Sequence, residues 1–241
     1  TDGTERHYDA VIGADGIHSV ARRAVVGRTL PLRYSGYTCW RGITETRRFE
    51  AAFERWGRGR RFGTVPLGGP STYWYATANA SAGGIDGPDP QAALAARFAD
   101  FEPVVAELIR ETDGVLRHDL YDLPPLPGWT RGRVTLLGDA AHPMTPNLGQ
   151  GAGQAIEDAG WLAHAVKTHG IPEGLAAYEA RRRPRANRFV RRSYRLGAVA
   201  QWADPLACFL RDRAVAWTPR ALARRSLAQL LDVEIPSLSA A

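Results

Sequence analysis

The spacing of hydrophobic and polar positions predicts strands in the first third of the chain. Residues 9–27 read as a short apolar strand, a tight turn at Asp15-Gly16 and a helix from Ile17 to Val26. Residues 33–80 carry aromatic side chains at alternating positions, which is typical of several antiparallel strands. The apolar run at 133–137 is typical of a buried parallel strand. Strands interleaved with helices predict an α/β fold.

Helical spacing dominates the remaining segments. One helical period runs through residues 94–109, and we expect a bend or break at Pro103. Another helix is expected from about Gly151 until Gly170-Ile171-Pro172. From Leu175 onward the pattern is helical and rich in arginine. The buried face of the helix that begins at Gly151 is predicted to consist of Ala155, Ile156, Ala159, Leu162 and Val166.

Composition narrows the class of protein without identifying it. The 241 residues are 44% hydrophobic and 23% charged, which excludes disordered and fibrous chains. Cys39 and Cys208 are too few for a disulfide framework and point to a reducing compartment, so we expect a cytoplasmic protein. No apolar stretch has the length of a membrane span. The formal net charge is +6, and every one of the 31 basic residues except Lys167 is arginine.

The segment Gly138–Gly153 carries the strongest chemical signal. Asp139 directly follows the predicted parallel strand, at the edge where open α/β sheets bind ligands. Glycines then open a long helix, whose first N–H groups are unpaired and carry partial positive charge. A hydroxyl-binding carboxylate beside an anion-binding helix start suits a nucleotide cofactor. The alternative is structural: a glycine-lined turn with Asp139 acting only as a cap.

Two motifs resemble those of a known enzyme family. The run Arg133–Ala163 closely resembles the Gly-Asp motif of the single-component, class A flavin-dependent monooxygenases, the para-hydroxybenzoate hydroxylase-like family. Asp15-Gly16, within Gly13–Arg23, resembles their Asp-Gly motif. Gly36–Gly42 and Tyr73–Thr77 resemble the branch that contains urate and salicylate hydroxylases and zeaxanthin epoxidase. The resemblance extends over nearly the whole chain.

The resemblance implies FAD as cofactor and NAD(P)H as co-substrate. It assigns Asp139 to hydroxyls of the FAD ribityl chain, and it associates Asp15, Gly16 and Arg22 with pyrophosphate handling. Gly153 departs from the pattern, because many members carry Asn or Cys there. The residues that would line the pyrophosphate and the pyrimidine edge of the flavin are Pro146, Gly149, Gln150, Gly151, Ala152 and Gly153.

The implied activity is hydroxylation of a small aromatic or heteroaromatic compound by O₂ through a flavin hydroperoxide. Candidate substrate contacts are Tyr37, Trp40, Arg41 and Trp74, although ordinary sheet core explains these residues equally well. The alternatives are a non-catalytic fragment, a basic interaction module, or an epoxidase or reductase acting on an isoprenoid. A homodimer is compatible with all of these.

One part of the family pattern is absent from the sequence. The family binds the ADP half of FAD with an N-terminal βαβ unit carrying G-x-G-x-x-G, whereas Gly13-Ala14-Asp15-Gly16 has the wrong glycine spacing. We therefore expect a partial, Rossmann-like FAD-binding domain and a C-terminal portion of the enzyme. The expected division is FAD-domain segments at 1–30 and 122–175, an inserted mixed-sheet substrate domain at 31–121 and a helical tail at 176–241.

Eight arginines between Arg181 and Arg195 form a dense basic segment. We expect a solvated helix face with buried carboxylate partners across a domain interface, in preference to nucleic-acid binding. His142 lies between ligand-loop residues and is expected to order backbone instead of acting as a base. No histidine shows metal-ligand spacing with Cys, Asp or Glu, so no metal is expected. Cys39 is expected in the core.

Overall fold

The structure is a computed structural model that describes residues 3–45, 49–233 and 235–236. Its strands are β1 (Val11–Gly13), β2 (Arg33–Thr44), β3 (Phe53–Trp56), β4 (Arg60–Pro66), β5 (Thr72–Asn79), β6 (Leu116–Asp122), β7 (Thr130–Arg131) and β8 (Val134–Leu136). Its helices are α1 (Ala21–Val26), α2 (Pro90–Arg97), α3 (Pro103–Arg110), α4 (Gly151–His169), α5 (Glu173–Ala200), α6 (Pro205–Ala216) and α7 (Arg220–Leu231). The predicted α/β class is confirmed.

The chain divides into two units. The first contains residues 1–33, 121–197 and 218–241, and the second contains 34–120 and 198–217. The predicted tail 176–241 therefore does not stay together, because residues 198–217 belong to the second unit. The assignment of these units to FAD and to substrate stays a prediction. Among the described residues, no helix is both long enough and apolar enough to cross a membrane.

The first unit is built on a three-stranded sheet in the order β1-β8-β7. Strand β1 pairs in parallel with β8, with Val11 opposite Val134, which is the parallel arrangement expected for residues 133–137. Strand β7 runs antiparallel to β8. The core beside this sheet includes Trp129, Leu136, Leu162 and Tyr178, and the Tyr178 hydroxyl donates to the Leu136 carbonyl over 3.0 Å.

The second unit is built on a five-stranded sheet in the order β3-β4-β5-β2-β6. The pairs β3–β4, β4–β5 and β2–β5 are antiparallel, as the alternating aromatic pattern predicts. One face of this sheet packs on α2 and α3, and the core between them is Trp40, Phe62, Trp74, Ala76, Ala78, Leu94, Ala95, Phe98, Val105, Leu108 and Ile109. Pro103 occupies the first turn of α3, so it marks the predicted break.

Two helix predictions need correction. Helix α1 begins at Ala21 and not at Ile17, because Gly16 adopts a positive φ of 75° and the following residues form a turn. The predicted apolar face of α4 is wrong as well. Ile156 is 62% exposed and Ala159 is exposed, whereas the polar residues Gln154, Glu157 and Asp158 are buried together with Leu162 and Ala165. The physical reason is a set of ion pairs with α5.

Candidate functional site

The first unit contains a cleft of about 490 Å³ at the end of β8 and the beginning of α4. Seven of the ten residues predicted to bind the cofactor line this cleft, and they come from segments far apart in the chain. Asp15, Arg22 and Gly153 do not line it. The lining residues are Ala14, Gly16, Leu137, Gly138, Asp139, Met144, Thr145, Pro146, Gly149, Gln150, Gly151, Ala152 and Ala155.

Asp139 is presented by a tight turn directly after β8. Gly138 adopts φ +59°, and a Cβ atom there would lie 3.1 Å from the Ala155 Cβ, so glycine permits the close approach of this turn to α4. The amides of Ala141 and His142 both donate to the Gly138 carbonyl. The Asp139 side chain remains exposed at the cleft. A carboxylate held in this way can accept hydrogen bonds from ligand hydroxyls.

The start of α4 provides the opposite wall. No side chain caps this helix, and no acidic residue lies in its first turn. Its first N–H groups therefore keep their partial positive charge. Cβ atoms added at Gly149 or Gly151 would meet nothing within 4 Å, so open space lies beside this backbone, and Gly149 also needs its φ of +62°. An anionic or carbonyl-bearing ring fits such a backbone cradle.

A buried carboxylate fixes the turn that carries Asp139. The Asp158 Oδ2 atom accepts from the Gly138 amide over 3.1 Å and lies 2.5 Å from His142 Nε2. Asp158 and His142 are both fully buried. His142 therefore orders the backbone of the turn through its side chain and the Asp158 carboxylate, which agrees with the backbone-ordering role predicted for it. Both ends of the turn are thereby tied to α4.

Arg22 joins the Asp-Gly loop to the Gly-Asp loop. Its Nε donates to the Ala140 carbonyl and its Nη2 to the Asp139 carbonyl, each over 2.8 Å. Its Nη1 and Nη2 also donate to the carbonyls of Ile17 and Gly16, at 2.8 and 3.3 Å. The side chain is buried, and burial lowers its pKa against the opposing effects of Asp15 and Asp139. Four of its hydrogen bonds thus go to backbone carbonyls of the two loops, so Arg22 clamps one loop to the other, and its association with pyrophosphate handling stays a prediction.

Asp15 has a comparable structural role. Its carboxylate accepts from the Ser19 hydroxyl at 2.6 Å and from the amides of Val20 and Ala21 at 2.7 and 3.1 Å. Partial burial raises the pKa of this carboxyl, but the hydrogen bonds from Ser19, Ala21 and Val20 outweigh that effect, so the pKa is lowered. The carboxylate thus holds the start of α1, and only Gly16 of this motif lines the cleft.

Helix α5 supports the loop that contains Pro146. The Ser193 hydroxyl donates to the Thr145 carbonyl over 2.5 Å, and the Asn147 side-chain amide donates to the Ser193 carbonyl over 2.9 Å. Asn147 also donates to Thr145 Oγ1 over 2.8 Å. Thr145 and Ser193 are buried. These polar contacts fix the loop between Asp139 and the start of α4.

The arginine-rich segment contributes a buried ion network. Arg182 is 1% exposed and donates from Nε to Asp158 Oδ1 over 2.8 Å and from Nη1 to Glu157. Arg185 donates to Glu157 over 2.9 Å, and Arg182 also donates to the Gln154 side chain over 2.9 Å. The prediction of buried carboxylate partners is correct, but their expected position across a domain interface is wrong. The partners lie on α4, in the same unit.

The four candidate substrate residues lie in the second unit and do not share one surface. Trp40 and Trp74 point into the core beneath α2 and α3, and their indole nitrogens donate to Asp86 and Thr112 over 2.8 and 2.7 Å. This burial removes the two tryptophans as direct substrate contacts. Tyr37 lies on the other face, but it is also buried, with the Arg61 guanidinium 5.5 Å from its ring centroid.

Arg41 is therefore the one candidate of the four that is not buried. Among the described residues, no carboxylate forms a salt bridge with it. Burial alone would lower the pKa of Arg41, but neighbouring Cys39 and Tyr73 produce a net increase. Burial raises the pKa of the Cys39 thiol, against the opposing effect of the Arg41 and Arg61 charges. Cys39 is in the core, as expected.

Several supporting residues were missed by sequence reasoning. Asp158, Ser193 and Asn147 contact no predicted ligand, and their side chains act on the loops that form the cleft. One available signal was the pair Glu157-Asp158 on a helix otherwise read as apolar, with Arg182 and Arg185 on the next helix. Two acidic residues at buried helical positions require cationic partners. Nothing in the sequence around Ser193 indicates its contact with Thr145.

Comparison with known proteins agrees with this geometry. The FAD binding domain family matches residues 126–193, the segment that contains Asp139 and the start of α4. The chain is 45% identical over 218 residues to the aurachin C monooxygenase/isomerase of Stigmatella aurantiaca, covering 88% of this chain and 57% of that relative. It is 38% identical over 249 residues to the 2-heptyl-3-hydroxy-4(1H)-quinolone synthase of Pseudomonas aeruginosa, covering 100% of this chain and 64% of that relative.

A solved structure shows the same fold. The crystal structure of Klebsiella pneumoniae HpxO complexed with FAD and uric acid is similar with a TM-score of 0.89 at 30% identity, covering 98% of this chain and 63% of that one. The chain thus spans about three fifths of the length of these relatives. The FAD-binding motifs, the cleft they form and these similarities lead to one conclusion: the chain belongs to the class A FAD-dependent monooxygenase family.

Proposed function

We propose that this chain is the larger part of an NAD(P)H-dependent FAD monooxygenase that hydroxylates a small aromatic or heteroaromatic compound. The observation that carries the proposal is the exposed Asp139 carboxylate facing the uncapped start of α4 across one cleft. That pairing offers an acceptor for hydroxyl groups and a positive helix end for a ring that gains negative charge.

The residues of the cleft have separate tasks. Asp139 accepts hydrogen bonds from ribityl hydroxyls, and Gly149 and Gly151 let the flavin ring approach the main chain. The backbone of residues 149–152 and Pro146 would line the pyrophosphate and the pyrimidine edge. When bound and reduced, FAD supplies the activation of O₂ and the transfer of one oxygen atom to the aromatic ring. The protein positions the reactants and excludes water, and no protein nucleophile is required.

Asp15 and Arg22 act through the loops in this proposal. Arg22 holds the carbonyls of Gly16 and Asp139 close together, and Asp15 holds the start of α1. Gly16 lines the cleft, so its main chain is the part of the motif that would contact the cofactor. Both charged side chains are thus positioning residues.

A nitrogen-containing heteroaromatic is the proposed substrate class. The Pseudomonas aeruginosa relative is a synthase of a 4(1H)-quinolone, and the HpxO structure contains uric acid. Both compounds carry ring carbonyl groups that can accept hydrogen bonds. Arg41, half-buried and without a carboxylate partner among the described residues, is the proposed polar anchor for such a group.

The proposal includes two further partners. The exposed side chains of Val11 and Ile12 on β1 leave an apolar sheet edge, which suits a βαβ unit that binds the ADP half of FAD. The described residues contain no G-x-G-x-x-G loop that could do this. If the coding sequence upstream lacks that motif, this part of the proposal fails. A second copy of the chain is the other proposed partner, because α6 exposes an apolar face.

FAD binding is the first test. Titration of the purified chain with FAD should quench flavin fluorescence. The variant Asp139→Ala should weaken FAD binding by about 10- to 100-fold, the value of a hydrogen bond to a charged group. Asp9→Ala removes another exposed carboxylate, one that does not line the cleft, and should leave FAD affinity unchanged. A chain that neither quenches nor retains FAD is the non-catalytic fragment.

Turnover is the second test. With FAD, NADPH or NADH, and O₂, a 4-quinolone or uric acid should accelerate hydride-donor oxidation and yield a product one oxygen atom heavier. The variant Arg41→Gln should raise KM while leaving FAD affinity unchanged. If the chain binds FAD but accepts only an isoprenoid, its activity is epoxidation or reduction and not hydroxylation of an aromatic ring. The observation that would show this is faster oxidation of NADPH or NADH with a carotenoid than with either heteroaromatic compound.

A further inference from the structure

Helix α6 exposes an apolar face on the surface of the second unit. Leu206, Phe209 and Leu210 are 66%, 55% and 58% exposed, and Trp217, at the C-terminal end of the helix, is 76% exposed. Trp202, just before the helix, is 40% exposed. A monomeric protein rarely leaves so many large apolar side chains in one place.

The four residues from Leu206 onward form one stripe along the helix. At 100° per residue, Leu206, Phe209, Leu210 and Trp217 fall within about 100° of the helix circumference, and Arg213 lies among them. The buried residues Cys208 and Arg211 lie on the opposite side. The polarity of the helix is therefore inverted relative to an ordinary surface helix, because an arginine is buried and leucine and phenylalanine face outward.

The charges around the stripe balance. Arg211 pairs with Asp212 over 2.8 Å, and the Asp204 carboxylate accepts from the Ala207 amide at the helix start. Arg213 stacks on Phe209 at 5.1 Å from the ring centroid. From Asp204 to Trp217 there are two acidic and two basic residues, so this surface carries no net charge to attract anionic lipid. A protein partner of similar polarity fits better.

The size and spacing of the stripe fit a second copy of the same chain. The exposed parts of these five apolar side chains amount to on the order of 600 Å², close to the ~800 Å² per partner of a standard interface. Positions 206, 209, 210 and 213 have spacings of three, one and three, which read the same in both directions. An antiparallel pair of such helices around a twofold axis places Phe209 opposite Leu210, and Leu206 opposite Arg213, of the other copy.

We propose that the chain forms a symmetric homodimer in which α6 packs antiparallel on α6 of a second copy, with Phe209 and Leu210 at the twofold axis. Trp202 and Trp217 then flank the contact at both ends. The aliphatic stem of Arg213 packs on Leu206 of the other copy while its guanidinium reaches solvent. The contact requires neither cofactor nor substrate, so it is independent of the proposed activity.

Sedimentation velocity of the full 241-residue chain tests the dimer, over about 1 to 100 µM, a range that brackets micromolar dissociation constants. We expect a concentration-dependent dimer. Phe209→Glu should raise the dissociation constant about 100-fold or more, since it replaces a central aromatic anchor. Val215→Glu is the matched control: Val215 is also 58% exposed on α6 but lies off the stripe, so the dissociation constant should stay within about threefold.

A charge test fixes the register. Leu206→Lys brings a second cation opposite Arg213 and should raise the dissociation constant about 100-fold, whereas Leu206→Glu brings a carboxylate there and should change it by less than about tenfold. Equal loss in both variants overturns the antiparallel register. Far-UV circular dichroism must show native helix content in each variant. If Phe209→Glu does not fold, Leu206→Lys against Leu206→Glu decides.

Two results overturn the homodimer itself. One is a wild-type chain that stays monomeric at about 100 µM. The other is a Val215→Glu variant that dissociates as readily as Phe209→Glu. A monomeric chain that cosediments with neutral phosphatidylcholine vesicles, and loses this with Phe209→Glu, would show that the stripe faces lipid.

Discussion

The helix-on-helix contact in the first unit and the helix-on-sheet contact in the second are built from different chemistry. Between α4 and α5 the buried groups are charged: Glu157 and Asp158 meet Arg182, with His142 beside them. Between the five-stranded sheet and helices α2 and α3 the buried groups are aromatic and aliphatic. The first contact fixes a cofactor loop in one geometry, and the second needs only a dense core.

The difference shows what each contact is sensitive to. Ion pairs in a low-dielectric interior depend on every partner, because a single deletion leaves an uncompensated charge. An apolar core loses stability in proportion to the volume and contacts removed. The four changes below follow from that distinction, beginning with the largest expected effect.

Removing the central cation of the α4–α5 contact should be the most damaging. Arg182→Met leaves Glu157 and Asp158 buried without their main partner, and the free energy of unfolding should fall by about 3–5 kcal/mol. Arg191→Met removes an exposed arginine of the same helix and should cost less than about 0.5 kcal/mol. Urea unfolding followed by far-UV circular dichroism measures both. A loss below about 1 kcal/mol for Arg182→Met would remove the distinction between the two contacts.

In the apolar core, Trp74→Phe should lower the free energy of unfolding by about 1–2 kcal/mol. The loss comes from a small cavity and from the missing hydrogen bond between the indole N–H and Thr112. Thr112→Val removes the acceptor of that bond. A double-mutant cycle with both changes isolates the bond itself, for which we expect a coupling of about 1 kcal/mol. Additive losses would mean that the hydrogen bond contributes nothing beyond packing.

Asp15 provides an exposed counterpart to the buried network. Asp15→Asn should lower the free energy of unfolding by about 1 kcal/mol at pH 7, because it weakens the acceptor for the first amides of α1. Folding lowers the pKa of Asp15. The carboxylate therefore contributes fully to the free energy of unfolding above its unfolded pKa of about 3.9, and this contribution is lost as pH falls through its folded pKa.

The difference between Asp15→Asn and the wild type should therefore be constant above about pH 5 and shrink below about pH 4. Thermal unfolding across this range measures it. Asp9→Asn, with no described side-chain bond, should show no such trend. A difference that persists unchanged at low pH would contradict the assigned capping role.

The smallest effect is expected at Ile156. The apolar spacing of α4 predicts it as buried, but it is 62% exposed. Ile156→Gln should change the free energy of unfolding by less than about 0.5 kcal/mol. Leu162→Ala, on the buried face of the same helix, should cost about 2–3 kcal/mol. A large loss at Ile156 would show that the polar face of α4 is not its main packing surface.

The predictable parts of this fold are those governed by local pattern. Alternating aromatics predicted several antiparallel strands within residues 33–80, where β2 to β5 lie, and a strand followed by a glycine-rich helix pointed to the cleft and Asp139. The face of α4 was misassigned because apolar periodicity counts Ile156 and Ala159 as buried and ignores charge pairing with residues far along the chain. Two of the carbonyls that Arg22 contacts lie 117 and 118 positions away, and no local rule reports such contacts.

The substrate candidates illustrate the same limit within a sheet. The alternation of side chains along a strand assigns residues to the two faces of the sheet, but it does not show which face the helices cover. Trp40 and Trp74 share the face under α2 and α3, whereas Arg41 lies on the other. Aromatic content alone could not separate core from binding surface, because both use large flat side chains.

The pairing of β1 with β8 has a consequence for the order of folding. Val11 lies opposite Val134, so the parallel ladder joins segments 123 positions apart, while β3, β4 and β5 pair with near neighbours in sequence. Loop-closure entropy favours the local hairpins as the earlier structure. During synthesis, β1 leaves the ribosome long before its pairing partner β8, residues 134–136. Until β8 is available, the apolar side chains of Val11 and Ile12 lie on a strand that lacks this partner, and such a strand can pair with other chains.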